Sequence, residues 1–307
     1  MASPEAMALW DAFRSGPKQV DLPLADRRLA GEHAEDPTAE PEGVTYPEAH
    51  EVGGLWAVPD SSRHDVHVLY LFGGGYVLGS PASRRKTAGH IAAAGGADVL
   101  VPAYRLAPEH PFPGAVDDAA AAYRWLLAQG ADADRTVIMG DSAGGGLAVS
   151  TLLALRSEGT PLPGGCVVLS PWSDLTCAGP SMDSRAGADA MVTRGSLLEM
   201  ARWYLAGHDA HDPLASPVFA DLTGLPPLLA LVGGDEALLD DATRLVQGVA
   251  AGGADATLFV GSGMQHVWPT WAGAIPEADA AIAMIGAWIR GATASAAPST
   301  GDDAGDQ

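Results

Sequence analysis

The chain has 307 residues, of which 47% are hydrophobic and 18% charged, so its composition is that of a folded globular protein and excludes a wholly disordered chain. Its formal net charge of −21 would be repelled by phosphate backbones and by anionic lipid, which argues against nucleic acid and membrane partners. The N-terminus lacks a basic segment followed by an apolar one, and no run of about 18 apolar residues occurs. We therefore expect no signal peptide, no membrane span and a cytoplasmic location.

Residues 1–45 combine a helical pattern with a Pro/Glu-rich connector, "AEDPTAEPEG", and are expected to form an N-terminal cap segment. Over residues 46–291, short apolar runs then alternate with Ala-rich helical stretches. Strands are predicted at 66–72, 99–103, 136–139, 165–170, 228–232 and 256–260, and helices at 83–94, 115–129, 143–158, 197–206, 240–251 and 274–290. This alternation predicts an α/β fold, with a mostly parallel central sheet flanked by helices.

Two stretches depart from the alternation. Residues 180–215 contain no predicted strand and are interpreted as a helical insertion within the domain. Residues 292–307, "ATASAAPSTGDDAGDQ", are small, polar and acidic, so we expect a disordered tail.

A candidate nucleophile lies in "VIMGDSAGGGLAV", where Gly140 to Gly144 fit the pattern G-x-S-x-G between a predicted strand and a predicted helix. This arrangement makes a sharp turn that lifts the Ser142 hydroxyl above the edge of the sheet. The helix that begins near Ala143 directs its positive end at the same place. The alternative is a Gly-rich turn that merely exposes a serine.

A serine hydroxyl needs a general base, and the base needs an orienting carboxylate. Asp235 follows the strand predicted at 228–232, and His266 follows the next strand, so both would meet Ser142 above one sheet edge. His266 is the one histidine in a loop directly after a strand downstream of Asp235. The rival acids are assigned to the first turn of the following helix, where acidic residues are favourable; they are Glu236, Asp240 and Asp241.

Three consecutive glycines follow the strand predicted at 66–72, in "LYLFGGGYVLGS". Glycines at a strand end allow close backbone approach or unusual backbone angles. A phosphate-binding loop is a poor alternative, because the chain has neither G-x-x-x-x-G-K-[ST] nor G-x-G-x-x-G followed by an acidic residue. If Ser142 attacks a carbonyl, this loop is the place from which backbone N–H groups can hold the oxyanion, together with the N–H of Ala143.

Several separated motifs together resemble the hormone-sensitive-lipase-like (family IV) bacterial carboxylesterases. They are the GGG loop, "YRLAPEHPFPGAVDDA", "GDSAGGG", "GGDEALLDD" and "GMQH", and they span roughly residues 40–290. Within that family the pattern is most similar to acetyl hydrolases and monoterpene ε-lactone hydrolases. The resemblance implies an α/β-hydrolase fold and a catalytic triad of Ser142, Asp235 and His266. It also implies oxyanion donors at Gly74, Gly75 and Ala143, and a helical cap built from residues 1–45 and 180–215.

One residue departs from the family pattern, which reads HGGG where this chain has Phe72. The family's histidine is thought to hold the loop in shape, so the backbone donors survive its replacement. Phe72 can hold the loop by packing, or it can leave the loop looser and slow the reaction. The residues that could line a substrate pocket, if they are not simply core, are Phe72, Tyr76, Trp203 and Trp268, with Trp10, Phe13, Tyr204 and Met264 as further candidates.

The predicted function is therefore a serine hydrolase that cleaves short- to medium-chain esters or lactones without a cofactor. A metal site at "HDAHD", residues 208–212, is a weaker reading of the sequence, and we predict no metal. Two other functions stay open: a cyclase or lyase on the same fold, and a ligand-binding protein with a weakened site. A small-molecule ester or lactone is the expected partner, and a homodimer is left open.

Overall fold

A mostly parallel β-sheet forms the centre of the computed structural model, which describes residues 2–16 and 22–294. Its strands in chain order are β1 (Val44–Thr45), β2 (Glu48–Ala49), β3 (Gly54–Pro59), β4 (His67–Leu71), β5 (Asp98–Val101), β6 (Thr136–Asp141), β7 (Gly165–Leu169), β8 (Leu228–Gly233) and β9 (Ala256–Gly261). From one edge of the sheet to the other, the strands follow the order β1, β3, β5, β4, β6, β7, β8 and β9. Strand β2 also pairs with β3. Strands β4 to β9 run parallel to one another, whereas β3 runs antiparallel to its neighbours β1, β2 and β5.

The central strands are buried on both faces because their residues are almost all apolar. Every residue of β6, β7 and β8 is buried. Such strands are stable only where helices cover both sides of the sheet. The helices are α1 (Pro4–Ser15), α2 (Leu24–Glu32), α3 (Arg85–Gly95), α4 (Gly114–Ala128), α5 (Ala143–Glu158), α6 (Ser181–Ser184), α7 (Arg194–Leu205), α8 (Leu239–Ala251) and α9 (Pro276–Ala292).

Helix α5 is the most deeply buried of these helices, since every residue from Ala143 to Leu155 is buried. Its first turn is glycine-rich because other backbone lies against it. A Cβ on Gly144 would overlap the carbonyl oxygens of Leu71 and Phe72, and one on Gly146 would overlap that of Trp172. The start of α5 is thereby pressed against the ends of β4 and β7.

The six predicted strands and six predicted helices are all present, with ends that differ by a few residues. The sequence prediction missed the antiparallel strands β1 to β3. The segment at 180–215 contains no strand and carries α6 and α7, as predicted. The tail predicted at 292–307 lies mostly outside the described residues, but α9 reaches Ala292 and Thr293 is buried.

The division into cap segment, catalytic domain and insertion stays a prediction, as do the homodimer and the cytoplasmic location. Over residues 2–16 and 22–294, no helix is both long enough and apolar enough to cross a bilayer. Because β4, β6, β7, β8 and β9 are adjacent and parallel, the loops that follow them all emerge at one edge of the sheet. This edge holds the candidate site.

Candidate active site

Ser142 occupies a strained turn between β6 and α5. Its backbone angles, φ 54° and ψ −122°, are rarely adopted by a residue with a side chain. The turn is held by the Ser142 N–H, which donates to the Leu169 carbonyl at 2.8 Å, and by the Ser142 carbonyl, which accepts from Trp172 at 2.8 Å. A Cβ on Gly140 would overlap the Gly144 carbonyl, so the turn requires the small residues predicted around the serine. The Ser142 side chain remains partly exposed at the sheet edge.

His266 lies in the loop after β9 and reaches Ser142. Its Nε2 is 2.9 Å from Ser142 Oγ, a hydrogen-bond distance, and the residue is only 6% exposed. The structure thus brings His266 and Ser142 together, and their catalytic roles stay a prediction. Val267, the next residue, has φ 51° in the left-handed region, which turns the chain sharply after the histidine.

The carboxylate that meets His266 belongs to Glu236, and the predicted contact of Asp235 with His266 is wrong. Glu236 Oε1 lies 3.3 Å from His266 Nδ1, and its carboxylate is fully buried. Asp235 is partly exposed, and its backbone N–H donates to Met264. Within residues 2–16 and 22–294, the Asp235 carboxylate takes part in no hydrogen bond or ion pair.

The error came from placing Glu236 in the first turn of the following helix. Helix α8 begins at Leu239, so Glu236 lies in the turn that joins β8 to α8. From there its longer side chain runs back beneath the turn, where the Gly233 N–H donates to Oε2 at 2.7 Å. One signal in the sequence could have indicated Glu236. It is followed by Ala237 and Leu238, which are small or apolar and are buried in the structure, so this part of the turn lies inside the protein.

Glu236 controls the electrostatics of the histidine. Burial by itself lowers the pKa of His266, because it removes water from the imidazolium. The hydrogen bond and the negative charge of Glu236 outweigh this effect, and smaller contributions come from Asp189 and Asp141. The net pKa of His266 is raised above its ordinary value. The site therefore stabilises a protonated imidazole, as a base that takes up a proton requires.

The glycine loop after β4 supplies free backbone donors. Gly73 donates its N–H to Asp141 Oδ1 at 2.8 Å. Among the residues that the structure describes, no hydrogen bond uses the N–H of Gly74, Gly75 or Ala143. Gly74 and Gly75 have φ of 126° and 64°, which explains why glycine is needed at both positions. These are the three donors that the resemblance implies.

A buried ion pair between Asp141 and Arg84 holds the glycine loop in place through Gly73. Asp141, the last residue of β6, is fully buried, and its Oδ2 lies 3.1 Å from Arg84 Nη2. Its Oδ1 accepts from the Tyr70 hydroxyl at 2.8 Å as well as from Gly73. Arg84 begins the basic run Arg84, Arg85 and Lys86, and the sequence did not indicate which of these side chains would pair with Asp141.

Phe72 holds the loop by packing, the first of the two roles considered for it. Its ring stacks on Tyr104 with centroids 4.2 Å apart. The Tyr104 hydroxyl also donates to the Phe72 carbonyl at 2.6 Å. A stacked pair of aromatic rings, from the loops that follow β4 and β5, thus occurs where the family pattern has a histidine.

Residues 68–270 match the model of a family described as having the alpha/beta hydrolase fold. The chain belongs to the α/β-hydrolase family. It is a hydrolase, and its predicted α/β-hydrolase fold is confirmed. Among solved structures, it is similar to an esterase of the bacterial hormone-sensitive lipase family, with a TM-score of 0.91 and 42% identity over 96% of this chain and 100% of that one.

Curated relatives agree with this placement of the hydrolase. An acetyl-hydrolase of Streptomyces hygroscopicus is 44% identical over 85% of this chain and 93% of its own length. An ethyl acetate hydrolase of Pseudomonas putida is 33% identical over 71% of this chain and 70% of its own length. The predicted resemblance to hormone-sensitive-lipase-like carboxylesterases and acetyl hydrolases is confirmed.

The predicted pocket residues of the hydrolase pack mainly against protein. Tyr76 stacks on Tyr204 of α7 with centroids 3.8 Å apart, and a Cβ on Gly75 would overlap Met200 Sδ, so α7 lies against the glycine loop. Trp203 stacks with the Arg27 guanidinium at 5.5 Å. Trp268 is buried, with its ring 6.2 Å from that of Phe259. A role for Phe72, Tyr76, Trp203 and Trp268 in contacting substrate stays a prediction.

The alternative metal site at 208–212 finds no support in the geometry. His211 pairs with Asp209 at 3.2 Å at the exposed surface, and the His208 ring packs on Phe112. Within the described parts of the chain, no three His, Cys, Asp or Glu side chains are grouped as ligands for a metal ion.

Proposed function

We propose that this hydrolase is a carboxylesterase that cleaves short-chain esters with Ser142 as nucleophile. The observation that carries the proposal is the connected series Ser142 Oγ, His266 Nε2, His266 Nδ1 and Glu236 Oε1, with contacts of 2.9 and 3.3 Å. Such a series activates a hydroxyl that is otherwise a weak nucleophile.

Ser142 Oγ attacks the ester carbonyl while His266 Nε2 takes the hydroxyl proton. The C–O bond to the alcohol then breaks, and His266 returns the proton to the departing alkoxide, leaving an acyl-enzyme. Water, deprotonated by His266, attacks the acyl carbon and releases the carboxylic acid with regeneration of Ser142. Glu236 keeps the imidazole in the tautomer with its proton on Nδ1 and stabilises the imidazolium in both halves.

The carbonyl oxygen becomes an oxyanion in each tetrahedral intermediate. The backbone N–H groups of Gly74, Gly75 and Ala143 have no acceptor in the described part of the chain, so they can donate to it. Ala143 is also the first residue of α5, so the positive end of the helix adds to the stabilisation. Loss of one such donor typically slows catalysis by about 10²–10³-fold.

A short acyl group fits the surroundings of the glycine loop. Met200 and Tyr204, one turn apart on α7, both lie against that loop and limit the space above it. The names of the relatives, acetyl-hydrolase and ethyl acetate hydrolase, point the same way. Acetate esters are therefore the proposed substrates, and small lactones, whose ring ester presents the same carbonyl, are the second class.

The test is hydrolysis of p-nitrophenyl acetate, butyrate and octanoate by the wild type and by Ser142→Ala. We expect turnover that decreases with acyl length and falls by about 10⁶-fold in the variant. A fluorophosphonate probe should label the wild type at Ser142. Equal turnover in both proteins would refute the role of Ser142. Labelling without turnover of any ester would favour the lyase or cyclase alternative, and absence of both would favour a binding protein.

A further inference from the structure

Ser170 lies at the end of β7, between the acid and the base of the proposed site, and the reaction described above does not use it. The residue is fully buried, and its backbone N–H donates to the Leu231 carbonyl at 2.7 Å. Its φ of 45° places a non-glycine residue in the left-handed region. Such a conformation persists only where surrounding contacts determine it.

The Ser170 hydroxyl joins the two loops that carry the acid and the base. It donates to Glu236 Oε2 at 2.7 Å and accepts from the Val267 N–H at 2.9 Å. Val267 directly follows His266 and has a positive φ, which is unfavourable for a β-branched residue. One hydroxyl therefore holds both the carboxylate and the strained turn beside the imidazole.

The hydrogen bonds to the Glu236 carboxylate set its orientation towards His266. Oε2 accepts from both Ser170 and the Gly233 N–H, each at 2.7 Å, so two donors occupy one oxygen. The other oxygen, Oε1, is left to face His266 Nδ1. Without the hydroxyl, only the Gly233 N–H remains as a donor to Oε2, so the carboxylate is less restrained about its Cγ–Cδ bond.

We propose that Ser170 is a positioning residue, which aims Glu236 at His266 and fixes the backbone turn after the histidine. This inference rests on the proposed function, because it assigns Ser170 to the triad of that reaction. Ser170 itself does not touch the reacting atoms. Its action is on the orientation of the acid and the base.

A change in orientation is measurable through the protonation of His266. The charged groups that act on the imidazole are Glu236 after β8, Asp189 in the segment before α7, and Asp141 at the end of β6, whose charge is paired with Arg84. Glu236 is the largest of these in raising the pKa of His266 against the effect of burial. A misaligned Glu236 would therefore let that pKa fall.

The experiment compares Ser170→Ala and Ser170→Gly with the wild type in kcat/KM for p-nitrophenyl acetate across pH. Glycine tolerates the positive φ, so the second variant removes the hydroxyl without adding backbone strain. The matched control is Ser150→Ala, since Ser150 is also fully buried but its hydroxyl has no hydrogen-bond partner among residues 2–16 and 22–294. We expect kcat/KM to fall by about 10- to 100-fold in both Ser170 variants, as for loss of a hydrogen bond to a charged group. The acidic limb of the profile should move to lower pH.

Ser150→Ala should retain both the rate and the pH profile. An unchanged rate in the Ser170 variants would overturn the proposal, and so would a lower rate with the acidic limb unmoved, because a merely structural role would give that pattern. Fluorophosphonate labelling separates this failure from that of the proposed function. If the wild type neither hydrolyses esters nor labels at Ser142, the function is wrong. If it does both and the Ser170 variants match it, only this inference fails.

Discussion

At the scale of single residues, the acid that contacts His266 is Glu236 and not Asp235, the residue before it. Asp235 and Glu236 are neighbours, but only the Glu236 carboxylate is buried against His266. We expect Glu236→Gln to lower kcat/KM for p-nitrophenyl acetate by about 10⁴-fold, because a neutral amide neither fixes the imidazole tautomer nor stabilises the imidazolium. The matched control, Asp235→Asn, should leave kcat/KM unchanged. A larger loss in the Asp235 variant would restore the acid predicted from the sequence.

Arg84 provides a second prediction at this scale, on stability. Asp141 is fully buried and Arg84 is its cationic partner, so Arg84→Met leaves a buried charge with only neutral donors. Removing one partner of a buried pair typically lowers the free energy of unfolding by about 3–5 kcal/mol. Urea unfolding followed by circular dichroism measures this loss.

Arg194→Met is the control for Arg84, since Arg194 pairs with Asp183 at the exposed surface. Surface pairs contribute about 0–1 kcal/mol. Equal stability of the two variants would mean that Tyr70 and Gly73 satisfy Asp141 without the arginine.

Phe72 shows what the sequence could not predict at this scale. The sequence shows that the family histidine is missing, but it does not show that the ring of Tyr104 stacks on Phe72.

At the scale of elements, the sequence predicted best where burial alone decides the structure. Strands β4 to β8 are mostly apolar runs, and each was found because a run of that kind can only be a buried strand or helix. Strand β9, at the edge of the sheet, was found from its apolar residues although most of them are only half-buried or exposed. Strands β1 and β2 have two residues each, too few to show a period. Strand β3 begins at Gly54 and ends at Pro59, residues that usually mark a strand boundary or a loop. Gly54 is needed because a Cβ there would overlap the Val101 carbonyl, a contact that only the folded sheet reveals.

The segment before α7 is attached to the site by Gln265, the neighbour of His266. The fully buried Gln265 amide accepts from the Ala190 N–H at 2.7 Å and donates to the Ala188 carbonyl at 3.0 Å. Gln265→Met keeps the length of the side chain but removes both bonds, worth about 1 kcal/mol each. We expect trypsin to cleave after Arg185 about tenfold faster in this variant, as followed by mass spectrometry.

The control for this prediction is Gln247→Met, because Gln247 is exposed on α8. In the Gln247→Met variant, trypsin should cleave after Arg185 at the wild-type rate. If both variants are cleaved at the wild-type rate, Gln265 does not restrain the segment. In that case the contacts of Asp189, which accepts from the Met191, Val192 and Ala237 N–H groups, are sufficient to hold it.

At the scale of the whole molecule, the net charge of −21 acts on substrates before they reach the site. The chain has only two lysines, and the groups around His266 include Asp189 and Glu236. A field of this sign repels anions over distances of about 10 Å at moderate salt, and it is screened as salt increases. We therefore expect a lower kcat/KM for 4-acetoxybenzoate, which carries a carboxylate, than for the neutral 4-acetoxybenzamide.

Salt dependence tests whether the whole-molecule field causes that difference. Sodium chloride should raise kcat/KM for 4-acetoxybenzoate towards the value for the amide, because screening removes repulsion at long range but does not change contacts within the site. The neutral amide serves as the control for any effect of salt on the enzyme itself. If the carboxylate ester stays slow at high salt, its exclusion arises from buried groups beside Ser142, where ions of the solvent do not screen. The discrimination would then belong to the site, with the −21 charge acting on solubility alone.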